Sequence, residues 1–426
     1  MRNVVIASPV ATQSGYGHHA REVIKNIIEL RGNEWNIKLL SLPWGGTPLT
    51  YPISEDWKNR IIPLPLNEQP DIWIQITVPN EFQPIGKYNI GVTAGTEGDV
   101  CPESWIDNLN AMQLVIVPSK FTKEVFENTA KLKNKDLFAR IEVIPEYFDE
   151  TVYSNKAESA VNATTMISQL NDIPESFAFL TAGHWLQGNL GEDRKNIGGV
   201  IHAFCNTFKN KKSAPALVLK TSGATYSIMD RMYMESQINQ IKSLFGGAKL
   251  PNIYILHGDL TNDEMNALYN HPKIKAMLSF TKAEGFGRPL LEFSTTAKPI
   301  LAPHYSGQAD FLNTEFICAL PGILTPIHPS AQNEFLIGDA KWFTVDYTYA
   351  GNMMEEVIKN YKKWQELAKR QRYFVNNEFT KTAVSAVYEK VLNSINNAIE
   401  SIPKSVELKL PQLKKIELPK LQKVGE

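Results

Sequence analysis

Short apolar runs alternate with amphipathic segments along most of the chain. In the first 150 residues the runs fall at 4–7, 37–42, 72–76, 89–92 and 114–117. Runs this short, apolar without alternation, predict strands buried on both faces. Between the first two, Ala20, Val23, Ile24, Ile27 and Ile28 recur at helical spacing and predict a helix with one apolar face. Ser119 stands between an apolar run and the pattern Phe121, Val125, Phe126, the position of a helix N-cap. Strands alternating with helices predict a parallel sheet covered on both sides. A polar stretch without a clear period, 151–174, reads as a linker or surface insertion. The alternation then restarts, with runs at 177–182, 216–220, 253–256, 276–280 and 299–302. Two α/β units in tandem are the expected architecture. Near the C-terminus, Met353, Val357, Tyr361, Trp364 and Ala368 form one helical stripe, and a second helix is expected over 380–398.

Composition narrows the class. A chain of 426 residues accommodates two or three domains, and 43% hydrophobic residues are enough for ordinary cores. With 44 basic against 45 acidic residues, the chain lacks the overall charge of a strongly basic nucleic-acid binder. Its three cysteines, Cys101, Cys205 and Cys318, have neither metal-ligand spacing nor an even count, which fits a reducing compartment. The apolar run at 4–7 is too short for a signal peptide, and no stretch approaches a membrane span. A soluble cytoplasmic enzyme is expected. Residues 401–426 carry six lysines against three glutamates, interrupted by three prolines. That composition suits a loosely ordered tail or a docking segment for a partner, an anionic polymer or a membrane surface.

Three segments carry candidate chemistry, each after a predicted strand. Ser14-Gly15-Tyr16-Gly17-His18-His19-Ala20 opens a helix, where glycines let backbone approach a ligand and the helix start favours negative charge. It matches the loose dinucleotide pattern G-x-G-x-x-A, but the long lead from strand to glycine does not suit a dinucleotide loop. In the second, Thr281 to Glu292, Pro289 suits a first helical turn and Gly285 and Gly287 leave backbone N–H groups open to an anion. Glu292 then lies one turn inside the helix, where a carboxylate can accept both hydroxyls of a vicinal diol such as a ribose. Glu284 and Glu292 form E-x7-E, and a glycosidase pair would have no use for the anion-accepting helix start beside them. In the third, Gly183 to Asn196, Arg194 and Lys195 stand near a helix start, where two fixed cations can neutralise a diphosphate. No D-x-D occurs, and Glu97 with Asp99 makes only E-x-D, so no metal site is expected. Glu97, Tyr16 and His18 are acceptor-side candidates. His257, after the run 253–256, is expected to line the base pocket, and Ser306 to approach the donor from an opposite loop.

Taken in order, these segments resemble the retaining GT-B glycosyltransferases of the large group that includes sucrose, glycogen and mannosyl transferases, family 4. The resemblance rests on EGFGRPLLE at 284–292, HYSGQADFL at 304–312, RKN at 194–196, and the strings at 93–105 and 114–126. It extends to about residue 395. It implies an α/β fold of two Rossmann-like domains facing across a cleft, with a C-terminal helix crossing back to the first. The corresponding division is 1–172 on the acceptor side, 173–378 for the nucleotide sugar, 379–400 for the returning helix and 401–426 for the tail. By the same resemblance Glu292 holds the donor ribose, Glu284 lies near the donor sugar and phosphates, and the N–H groups of Gly285, Phe286 and Gly287 contact sugar and diphosphate. Lys195 binds the diphosphate, and Gly15 and Gly17 form the loop above it. Lys195, Arg194 and Glu284 are the expected catalytic residues. Where members often carry an arginine after the strand-end glycine, this chain has His184, and Arg194 stands in for it. The implied activity moves a sugar from a nucleotide diphosphate sugar to a saccharide, lipid, protein or modified nucleic acid, with retention and without a cofactor or metal. An epimerase or hydrolase on the same fold, or a non-catalytic nucleotide-sugar binder, are the alternatives.

Overall fold

The computed structural model describes residues 1–45, 47–95, 97–155, 165–223 and 226–401. The first domain runs β1 (Arg2–Ser8), α1 (Gly15–Arg31), β2 (Trp35–Ser41), α2 (Glu55–Arg60), β3 (Ile72–Ile76), β4 (Tyr88–Val92), α3 (Ser104–Asn110), β5 (Leu114–Val117), α4 (Lys120–Leu132) and β6 (Arg140–Val143). A short helix, α5 (Thr165–Ser168), precedes the second domain: β7 (Ala178–Ala182), α6 (Ile197–Phe208), β8 (Ala216–Lys220), α7 (Ile228–Ser243), β9 (Ile253–Leu256), α8 (Asn262–Asn270), β10 (Ile274–Leu278), α9 (Arg288–Ser294), β11 (Ile300–Ala302) and β12 (Cys318–Ala319). A hairpin of β13 (Gly322–Pro326) and β14 (Lys341–Val345) follows, then α10 (Tyr347–Lys359), α11 (Tyr361–Glu378) and α12 (Lys381–Glu400).

Each domain holds a six-stranded sheet, ordered β2-β1-β3-β4-β5-β6 in the first and β12-β11-β10-β7-β8-β9 in the second. All pairings within them are parallel. Every predicted apolar run falls on one of these strands. The missed strands have physical reasons. β6, Arg-Ile-Glu-Val, alternates charged and apolar residues because it is an edge strand with one wet face. β12 has two residues, too few for a pattern.

Strand order places the ligand crevices. In the first sheet β1 lies between β2 and β3, so the chain leaves β1 in one direction and returns on its other side. In the second, β7 lies between β8 and β10 in the same way. The loops after β7 and β10 therefore diverge to opposite faces and leave a crevice at the strands' carboxyl ends.

Two expectations are corrected. The stripe from Met353 to Ala368 spans two helices, because Asn360 leaves helical geometry (φ −114°, ψ 36°) between α10 and α11. The stretch 151–174 is more than a surface linker: Tyr153, Ile167, Leu170 and Ile173 are buried in a core of the second domain, while 156–164 lie outside the described residues. α12 crosses back as expected, placing Val384, Tyr388, Val391, Leu392 and Ile395 in the first domain's core beside α1. Residues 402–426 of the tail also lie outside the described residues. Among the described residues no helix is long and apolar enough to cross a membrane. All three cysteines are free and buried.

Candidate functional site

At the crevice of the second sheet, the loop after β7 brings Arg194 and Lys195 to the loop after β10, which carries Glu284. Lys195 Nζ lies 2.6 Å from Glu284 Oε1, and Arg194 Nη1 lies 2.9 Å from Glu284 Oε2. The Thr281 hydroxyl donates to Glu284 Oε1 at 2.5 Å. Burial pushes the Glu284 carboxyl up, but Lys195 and Arg194 outweigh it and hold it at about 2. Burial lowers the Lys195 pKa, an effect that Glu284 opposes and Arg194 reinforces. Burial also acts against the Arg194 charge, but Glu97 and Glu284 more than offset it. Two cations thus point into one crevice with a single carboxylate between them. His184 sits beside them with Nδ1 3.1 Å from Ser222 Oγ. Burial, then the nearby Lys195, lowers its pKa, so it adds no charge near neutral pH.

α9 starts at this crevice. Gly287 is its N-cap in the left-handed region (φ +102°), and Pro289 lies in the first turn as expected. Pro289 has no N–H, and Leu290 N bonds back to Gly287 O at 3.0 Å, which closes the first turn. Glu292 is one turn inside and 5% exposed. Its carboxylate accepts the Tyr269 hydroxyl at 3.2 Å, and Tyr153 lies close enough to act on its charge. Burial raises its pKa to about 7, against the opposing charge of Arg288. Glu292 thus receives one hydroxyl from the chain itself, that of Tyr269. The Phe286 side chain packs against Phe311 and Phe379 in the second core, leaving its backbone as the part near the crevice.

The first domain closes over this loop. Gly285 O accepts from the Ser119 hydroxyl at 2.7 Å, and a Cβ on Gly285 would stand 2.4 Å from Ala94 O. Glu97 reaches Arg194 Nε at 3.4 Å. Gly15 and Gly17 form the first turn of α1 itself, where Ser14 caps the helix through Gly17 N. A Cβ on Gly17 would lie 2.4 Å from Thr12 O, so only glycine fits, whereas Gly15 faces open space. Tyr16 stacks on Trp44, with its hydroxyl fixed by Thr93 Oγ1 and Ala94 N.

Other sequence candidates take up supporting places. His257 Nε2 is 2.7 Å from Asp230 Oδ2, which also accepts from Gly223 N. Ser306, at φ +62°, accepts from Glu284 N at 2.9 Å, and Gly307 N donates to Glu284 O. That loop braces the Glu284 backbone. Asp99 pairs with the backbone of Lys341 at the start of β14.

The sequence reading assigned no role to Arg288, Glu22 or Glu146. Arg288 forks onto Glu22 at 2.7 and 2.6 Å and reaches Glu146 at 2.5 Å. A local signal existed: a cation at the first position of a helix opposes the helix dipole, so carboxylates elsewhere must hold it. His19, Glu22 and Glu146 also bring possible metal-ligand atoms within 4.8 Å of one another, but Arg288 already holds three of the four oxygens of these two carboxylates. His18 lies beside Glu22, and burial, then Arg288, lowers its pKa well below the usual histidine value.

No protein-family model matches the chain, and no curated protein does. Solved structures do. Sucrose-phosphate synthase from Thermosynechococcus elongatus superposes with a TM-score of 0.61 at 12% identity, over 93% of this chain and 100% of that one. HepE from Anabaena, solved with UDP and glucose, gives 0.60 at 12% identity over 92% and 100%. The alpha,alpha-trehalose 6-phosphate synthase from Burkholderia multivorans gives 0.61 at 10% identity over 93% and 99%. The fold is GT-B: two Rossmann-like domains facing across a cleft.

Proposed function

We propose that this protein transfers a sugar from a nucleotide diphosphate sugar to an acceptor, with retention of anomeric configuration. The observation that carries the reading is the meeting of Lys195 and Arg194 with Glu284 at the switch point of the second sheet, beside the start of α9. As the donor's glycosidic bond breaks, negative charge develops on the diphosphate. Two fixed cations and the backbone N–H groups of Gly285, Phe286 and Gly287 stabilise that charge with little reorganisation. Glu284 keeps the cations aligned in the free protein and turns to the donor sugar when phosphate oxygens take its place. Glu292 takes the ribose diol, which displaces the Tyr269 hydroxyl.

In a same-face displacement, the acceptor oxygen bonds to the anomeric carbon as the carbon–phosphate oxygen bond breaks, and the departing phosphate oxygen accepts the acceptor's proton. That step needs no protein nucleophile, and with two cations on the chain itself the reading includes no metal. Tyr16, His18 and Glu97 belong to the acceptor side, and His257 and Ser306 support the donor side from behind. A uridine donor is the first to test, because HepE was solved with UDP and with UDP-glucose. The cytoplasm is the proposed compartment, which three free buried thiols suit.

The test is a panel of nucleotide sugars scored for protection against thermal unfolding, followed by labelled donor with and without candidate acceptors. A bound donor at a hundred times its Kd stabilises by about 2.7 kcal/mol. Transfer needs the acceptor, whereas hydrolysis does not. Absence of protection by every nucleotide sugar and nucleoside diphosphate overturns the reading.

A further inference from the structure

Arg288 occupies the first helical position of α9, next to Gly287 and one turn before Glu292. Its side chain points away from its own domain. Nη1 and Nη2 grip the two oxygens of Glu22 on α1 at 2.7 and 2.6 Å. Nη2 also bonds Glu146 Oε2 at 2.5 Å, and Nη1 bonds Tyr147 O at 3.2 Å, both on the segment that leaves β6. One guanidinium is therefore held by three carboxylate oxygens and one carbonyl of the first domain and its exit. The Arg288 side chain is 15% exposed, and those of Glu22 and Glu146 are 11% and 9% exposed, so water competes little for these bonds. A bidentate fork fixes orientation as well as distance.

The placement couples this grip to the donor helix. Arg288 and Glu22 border a cavity of about 250 Å³ between the domains, together with His18, Tyr147, Tyr153 and Asn262. Tyr153 also lies close enough to Glu292 to act on its charge. Separating α1 from α9, the helix that carries Glu292, would break the fork and widen this cavity in one movement. Other contacts across the seam are the Ser119 bond to Gly285 O, the Lys120 N bond to Asp310 Oδ2, the ion pairs Glu97–Arg194 and Lys133–Asp339, and two bonds between Asp99 and the Lys341 backbone. The fork supplies three bonds between charged groups, more than any one of these.

We propose that Arg288 is a positioning residue that governs cleft opening: its fork onto Glu22 and Glu146 holds α9 against α1 and must release for the nucleotide to leave. The proposal rests on the donor reading above for the identity of the nucleotide. It predicts that Arg288 acts on nucleotide exchange rather than on the chemical step.

The experiment compares wild type with Arg288→Leu, Arg288→Lys and Glu22→Gln. Small-angle X-ray scattering of each protein without nucleotide reads cleft opening. Stopped-flow fluorescence reads UDP dissociation. Arg288→Leu is expected to show a larger radius of gyration and UDP release faster by about 5- to 150-fold, the usual range for one coupling interaction. Glu22→Gln, which keeps shape and one acceptor oxygen, should shift both readouts in the same direction by less. Arg288→Lys keeps the charge without the fork and should fall between wild type and Arg288→Leu. Should Arg288→Leu fail to fold, Glu22→Gln and Arg288→Lys carry the test. Unchanged scattering and UDP release in folded variants, even with a lowered melting temperature, would mean a merely structural ion pair and overturn the proposal. A wild type that binds UDP and other nucleoside diphosphates not at all overturns the donor reading instead, and scattering alone then decides whether the fork holds the domains together.

Discussion

Replacing Lys195 with methionine removes one ammonium while keeping most of the stem. In the free protein Lys195 Nζ lies 2.6 Å from Glu284 Oε1, and Arg194 supplies the second cation at 2.9 Å. Together, against burial, they hold Glu284 at about 2 instead of 4.5. A depression of this size corresponds to roughly 3 kcal/mol of interaction. A carboxyl with a depressed pKa gives stability that is complete above its unfolded value and is lost as pH falls through the folded one. For Glu284 that window runs from 4.5 down to about 2, so the contribution is intact at neutral pH. Lys195 is the foremost cation behind it, but Arg194 still pairs Glu284 and methionine avoids the cost of burying an ammonium, so the net change at pH 7 should stay within about 1 kcal/mol. The effect on catalysis is not cancelled in this way. Losing one preorganised charge at the leaving diphosphate should lower kcat by roughly 100- to 1000-fold, or about 3–4 kcal/mol. The assay is nucleoside diphosphate release from whichever nucleotide sugar protects the wild type, alongside a melting curve. A Lys195→Met protein with a near-normal melting temperature and turnover within about threefold of wild type would place the diphosphate elsewhere and refute the reasoning.

The Glu292 carboxyl, raised to about 7 chiefly by burial, must ionise to accept both ribose hydroxyls well. Nucleotide affinity should therefore rise with pH through about 7, and calorimetry should find that rise absent in Glu292→Gln. Because a raised carboxyl binds its proton more tightly in the folded state, Glu292 should also make stability fall as pH climbs from 4.5 to about 7, a slope that urea titrations at several pH values would detect. Activity is expected to survive EDTA; complete loss restored by manganese or magnesium would direct attention to His19, Glu22 and Glu146. Gly285→Ala would set a Cβ 2.4 Å from Ala94 O and force the domains apart there, so it should cost about 1–3 kcal/mol of stability and weaken nucleotide binding together, both measurable by thermal shift with and without UDP.

The periodicity of the chain determined much by itself. Apolar runs and helical stripes declared two parallel α/β units, because strands covered on both faces leave no polar positions. The Ser119 cap and Pro289 at the start of α9 were equally legible, since both rest on backbone rules that act within one turn. Pairing Lys195 with Glu284 required 89 residues of separation to close, and only the order of β7 beside β10 brings them together. The string at 284–292 marked Glu292 but gave no sign that Tyr153 and Tyr269 would meet its carboxylate, because Tyr153 lies in a stretch whose polarity reads as a linker. The edge strand β6 escaped notice because half its side chains face water. Arg288 is the clearest division between the two levels. Its position at a helix start is visible in one dimension and unfavourable there. Glu22 and Glu146 lie 266 and 142 residues away, so only the meeting of two domains supplies the carboxylates that make that position stable.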